Sequence, residues 1–158
     1  MKLPKTMVVR GFRAAGISCG IKKTGKPDLA LVASDRPCVS AVVFTRNRVA
    51  AAPVVWGKAN RNRGRLRGVL ANSGNANACT GAEGVRAVRE TSRAACEALK
   101  FPKDSLLVSS TGVIGVPLPV GKILAALPVL AARLSARGIP QAGEAIRTTD
   151  AFPKRGVR

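Results

Sequence analysis

Apolar residues fall along this chain in two rhythms. The first is a set of short unbroken runs: Leu29–Ala33 (LALVA) and Ser40–Phe44 (SAVVF) are separated by SDRPC, a Pro-containing polar segment. That pattern predicts two adjacent buried strands joined by a turn. A third run, Gly68–Ser73 (GVLANS), follows the basic loop NRNRGRLRG, and a fourth, SLLVSS, begins at Ser105. All four are continuously apolar rather than alternating, which predicts strands covered on both faces.

The second rhythm is helical. From Ala82 to Lys100, Val85, Val88, Ser92, Ala95, Cys96 and Leu99 share one face, while Arg86, Arg89, Glu90 and Arg93 fall largely elsewhere. Thr80 is placed to cap this helix, with Glu83 as its capping-box partner. From Val120 to Arg137, Ile123, Leu124, Leu127, Leu130, Ala131 and Leu134 form a stripe that stops at Gly138, and Pro128 inside it predicts a kink or a break. A short third helix is expected over Gln141–Arg147. The order strand, strand, strand, helix, strand, helix, helix, without an internal repeat, predicts a mixed α/β fold.

Composition adds bounds. With 158 residues and 46% hydrophobic content, residues 1–158 have enough material for one globular domain. The ending TTDAFPKRGVR is polar and reads as the approach to another element, so a domain cut before its last elements is expected. MKLPKTMVVR lacks the apolar run of a signal peptide, and no run approaches eighteen apolar residues, so a soluble cytoplasmic protein is the expectation. Cys19, Cys38, Cys79 and Cys96 form no CxxC pair and the chain has no histidine. No metal site is expected, and a Ser-His-Asp or Cys-His mechanism within the chain is excluded.

The net charge of +19 raises nucleic acid as a partner. The cations, however, are dispersed as loop clusters (Lys22, Lys23, Lys26; Arg61, Arg63, Arg65, Arg67) and single helix arginines. No Tyr, four Phe and one Trp leave little on which bases could stack. The distribution therefore favours a solvated arginine-rich surface, or a basic face that steers anionic substrates or docks an acidic partner.

Three segments could carry chemistry. NSGNANACTG (Asn72–Gly81) leaves a strand and enters a helix through small and amide residues, suited either to anion binding at a helix start or to a loop whose Asn side chains satisfy the backbone. In LLVSSTGVIGVPLP, Ser109, Ser110, Thr111 and Gly112 stand where a strand ends. A hydroxyl beside an unobstructed amide can form an oxyanion hole, and a plain turn fits equally well. TTDAFPK (Thr148–Lys154) can bind a polar ligand or simply turn the chain.

Taken together with GFRAAGISCGIKKTGKPDLALVASDRP and VVFTRNRVAAAPV, these segments resemble the ornithine acetyltransferase family, also called bifunctional glutamate N-acetyltransferase, from about Gly11 to Lys154. The most specific pieces are KPDLALVASDRP, NSGNANACTG, STGVIGVPLP and TTDAFPK. The resemblance implies part of a four-layer α-β-β-α sandwich, and an acyltransferase of arginine biosynthesis that moves acetyl from N-acetylornithine to glutamate. It implies no cofactor, with acetyl-CoA as a further co-substrate in some members. It places the oxyanion hole at the Thr111 hydroxyl and the Gly112 amide, and a substrate contact at Thr148 in preference to Thr149.

The family's nucleophile is an internal threonine freed by self-cleavage, and the match to this sequence stops before that point. On the resemblance, a complementary β chain supplies it, two α and two β chains form the assembly, and the present chain is inactive alone. Ala151 stands where a polar residue is expected. A second reading stays open, a degenerate relative whose basic surface binds polyanions, as does a third, a non-functional fragment.

Overall fold

A computed structural model describes residues 7–60, 64–154 and 156. The elements are β1 (Phe12–Ile17), β2 (Leu29–Val39), α1 (Ala52–Ala59), β3 (Arg65–Asn75), α2 (Gly81–Ala98), β4 (Leu106–Val113), α3 (Val120–Ala132) and α4 (Ile139–Ala145). The four strands form one sheet in the order β1-β2-β3-β4. The first two pairings are antiparallel and β3–β4 is parallel, a geometry that needs a crossover, supplied here by α2.

The sheet sorts its side chains by strand alternation. Leu29, Leu31, Leu70 and Leu106 point to one face, where they pack with Ala95 and Cys96 of α2 and with Ile123, Leu127 and Leu130 of α3. At about 2 kcal/mol for each fully buried aliphatic side chain, this layer is the main source of stability. Ala14 and Ala30 face the other way and pack against Ala142 and Ala145 of α4. Small residues are needed there because α4 sits almost on the sheet: a β-carbon on Gly16 would lie 2.1 Å from the Gln141 carbonyl oxygen. α1 covers the β4 end, with Ala52 and Trp56 packed against Val88 and Val108.

The mixed α/β class holds, and so do three of the predicted strands. The described residues contain a single four-stranded sheet with helices on both faces. Val113, Ile114, Val116, Ile146 and Phe152 are exposed around one end of it. Among the described residues no helix is long and apolar enough to cross a membrane. The leading residues 1–6 and the cations Arg61 and Arg63 lie outside the described residues.

Several expectations need correction. Ser40–Phe44 is not a strand: β2 continues through the SDRPC segment to Val39, with its register shifted between Ala33 and Cys38, and the chain then leaves the sheet. Val43 is 95% exposed, and Phe44 lies against Gly57 of α1 rather than in a ladder. β1 and α1 are further elements that the apolar runs do not announce. α3 passes through Pro128 and ends at Ala132, one turn later, instead of reaching Arg137. α4 begins and ends two residues before the expected helix. Thr80 precedes α2 but its side chain makes no capping bond; its hydroxyl instead donates to Asn77 Oδ1 at 2.8 Å.

Candidate functional site

The parallel pairing of β3 with β4 brings their last residues to the same end of the sheet, with Ser73 beside Thr111 and Gly74 beside Gly112. Leu106 and Val108 are buried, whereas Thr111–Pro117 is exposed throughout. β4 is thus anchored by its apolar half and presents its polar half. Gly112 has φ +136° and Gly74 has φ +97°; a β-carbon on Gly112 would collide with the Gly74 backbone. Glycine at 112 is what lets the two backbones approach so closely. Ser110 is structural, its hydroxyl donating to Asn72 Oδ1 at 2.7 Å.

The asparagines of NSGNANACTG satisfy backbone groups. Asn72 Nδ2 donates to the Asn75 carbonyl, and Asn75 Oδ1 accepts from the Asn77 amide at 2.7 Å. Asn75 Nδ2 donates to the carbonyls of Val116 and Pro117 at 3.0 and 3.2 Å, which holds the segment after β4. Asn77 Nδ2 donates to Gly84 at the start of α2. Four residues of this region or next to α2 take positive φ, namely Gly74, Asn77, Cys79 and Gly81, which is why the segment is built from Gly, Asn and small residues.

The facing wall comes from residues 18–28 and from the end of α4. Asp28 is fully buried and accepts from the amides of Cys19 at 2.6 Å and Lys22 at 2.8 Å, which curls this loop. The Lys22 ammonium donates to the carbonyls of Pro27 and Arg147. Burial pushes its pKa below the usual lysine value, while Asp28 and Glu144 pull it back. The Cys19 thiol is pushed up to about 12, by burial first and then by Asp28, so it is a neutral core group and not a nucleophile. At the end of α4, the Ser73 hydroxyl donates to the Ala145 carbonyl at 2.6 Å. The Arg147 guanidinium pairs with Glu144 and donates to the carbonyls of Asp150 and Ala151, closing the turn after the helix. Position 151 therefore contributes its carbonyl, not its side chain, to that turn.

Between these walls lies a cleft of about 1310 Å³. Thr111 and Gly112 line it from β4, Gly74 and Asn75 from β3, Ile21–Thr24 and Lys26 from the loop, and Glu144 and Arg147–Ala151 from the α4 side. All three residues singled out from the sequence, Thr111, Gly112 and Thr148, open onto this one cleft, and so does Thr149. Among the described residues neither the Thr111 nor the Thr148 hydroxyl is engaged in a hydrogen bond. The start of α2, by contrast, lies on a separate small hollow lined by Thr80, Glu83 and Leu118. Four cations and two carboxylates line the large cleft, and Glu144 is taken by Arg147 and Asp150 by Lys154, so its field is positive. Sequence reasoning does not pick out Lys22, Asp28 or Arg147 as site residues; the one available signal is the lone acid among the cations of KKTGKPD.

The ArgJ family profile matches residues 13–158. The arginine biosynthesis bifunctional protein ArgJ of Symbiobacterium thermophilum is 51% identical over 149 residues, covering 93% of this chain and 37% of that protein. Its counterpart in Geobacter sulfurreducens is 46% identical over 152 residues, covering 96% and 39%. The chain thus spans less than two fifths of the length of these curated relatives. A crystal structure of ornithine acetyltransferase complexed with ornithine, from Mycobacterium tuberculosis, superposes with TM-score 0.88 at 42% identity, covering 96% of this chain and 83% of that one. The arginine biosynthesis bifunctional protein of Bacillus halodurans superposes at 0.86 with 34% identity, covering 96% and 81%.

Proposed function

The chain belongs to the ArgJ family, and from that premise we propose that its cleft is one half of an acetyl-transfer site, acting between N-acetylornithine and glutamate in arginine biosynthesis. The observation that carries this reading is the convergence of Thr111, Gly112 and Thr148, drawn from two distant parts of the chain, on one open cationic cleft.

In the proposed step a nucleophile attacks the acetyl carbonyl carbon, and the carbonyl electron pair moves onto oxygen. The Thr111 hydroxyl and the Gly112 amide donate to that oxyanion, and Thr148 holds the substrate beside it. The base that took the nucleophile's proton passes it to the ornithine nitrogen as the carbon–nitrogen bond breaks. The amine of glutamate then takes the acetyl group from the acyl-enzyme and returns the nucleophile to its free form. One such donor is worth about 3 kcal/mol of transition-state stabilisation. The nucleophile is a threonine whose own amine serves as base, on a complementary chain with which two copies of this one form an assembly of two α and two β chains. The reading calls for no cofactor.

The test is acetyl transfer from N-acetylornithine to glutamate, assayed with this chain alone and with the polypeptide that completes the length of its relatives. We expect no turnover alone, turnover in the completed enzyme, and a roughly hundredfold lower kcat in Thr111→Ala. Turnover by the isolated chain, or an undiminished kcat in Thr111→Ala, overturns the assignment.

A further inference from the structure

We infer that Lys22 is a positioning residue that fixes the Thr148 wall of the cleft against the sheet; the inference rests on the reading of Thr148 given above. The Lys22 ammonium lies 2.6 Å from the Arg147 carbonyl oxygen and 2.8 Å from that of Pro27. The Arg147 carbonyl belongs to the peptide plane whose other half is the Thr148 amide, so holding that oxygen sets where Thr148 leaves the helix end.

The base of the lysine is itself held. Its backbone amide donates to the fully buried Asp28, whose other carboxylate oxygen accepts from Cys19. A four-carbon stem rising from a fixed loop costs little further ordering when its head reaches two carbonyls, and a hydrogen bond from a charged donor is stronger than a neutral one. Ser73 anchors the helix only as far as Ala145. The contacts of the Arg147 side chain shape the turn internally, with Glu144, Asp150 and Ala151. Among the described residues, the Lys22 bond is the only hydrogen bond that joins residues 146–154 to the sheet or its loops. Thr148 and Thr149 are exposed, so packing does not substitute for it.

The bond falls on a peptide that trypsin cuts, which makes it measurable without turnover. Lys22→Met keeps the stem and removes the donors. We expect cleavage between Arg147 and Thr148, followed by mass spectrometry, to accelerate about tenfold or more, with unchanged rates at Arg137 and Lys103 and restoration in Lys22→Arg. An unchanged rate at Arg147 overturns the inference. If Lys22→Met loses the fold, shown by faster cutting at Arg137 and Lys103 as well, Lys22→Gln replaces it in the same comparison and is read by the same criterion. In the completed enzyme Lys22→Met should raise KM about tenfold with a smaller change in kcat. Faster cutting with an unmoved KM upholds the positioning and counts instead against Thr148 as the substrate contact.

Discussion

A β-carbon placed on Gly112 would lie 2.4 Å from the carbonyl carbon of Gly74 and 2.6 Å from the nitrogen of Asn75. Backbone cannot yield as a side chain can, and φ +136° is itself closed to residues with a β-carbon. Gly112→Ala should therefore destabilise the chain by about 2 kcal/mol or more, from overpacking and strain together. Urea melts check this, with Thr111→Ala as the neighbour expected to leave the midpoint nearly unmoved. Equal midpoints for Gly112→Ala and the parent chain would contradict the close approach.

Asn75 satisfies three backbone groups on two segments, the carbonyls of Val116 and Pro117 and the amide of Asn77. Asn75→Ala leaves them without that partner and should cost about 2 kcal/mol. Asn75→Asp retains only the acceptor, so it should keep the Asn77 bond and lose the two to 116 and 117. A denaturant series over the three proteins should rank Asp between Asn and Ala.

Thr91 and Ser92 lie buried on α2 with hydroxyl oxygens that have no hydrogen-bond partner among the described residues. Such a group carries the cost of lost hydration without a return. Thr91→Val conserves shape and removes the orphan, so stability should be unchanged or rise by up to about 1 kcal/mol. A fall in melting temperature would show that the hydroxyl has a partner in solution.

The thiols should differ sharply in behaviour. Cys79 is exposed while Cys96 is buried, so iodoacetamide near pH 8 should alkylate Cys79 first and leave Cys19 and Cys96 largely intact. Cys19 has its pKa raised from 9.0 to about 12 in the fold, so the folded state holds this proton more tightly than the unfolded chain. Its contribution is complete below pH 9.0 and is lost as pH rises toward about 12. Cys19→Ala should flatten the decline of stability across that window, as read by melts at stepped pH.

Much of the fold was legible because hydrophobic pattern and burial coincide. Leu29, Leu31, Leu70 and Leu106 read as buried strand residues and are so; the α2 stripe contains Val88, Ala95 and Cys96, all buried. β1 is hard to read because the centre of FRAAGI is AAG, whose Ala14 and Gly16 fit beneath α4, and smallness is not a strand signal. α1 is a helix of 8 residues that begins beside Pro53, too short for its period to show. Ser40–Phe44 misleads for the opposite reason: its valines look like core, yet Val43 is exposed and Val42 only half-buried. Of the cleft, Thr111, Gly112 and Thr148 could be named from motifs, but the bond from Lys22 spans 125 residues of sequence and no local pattern announces it.

That separation bears on how the molecule comes together. A contact between positions 22 and 147 closes a very long loop, and it becomes favourable only after the intervening segments have ordered. The leucine layer between the sheet and α2 and α3 can form from residues 12–132 alone, whereas one wall of the cleft waits for α4 to dock on β1 and β2. During synthesis the scaffold should condense first, and this wall should take shape only once residues 139–151 have followed it out of the ribosome.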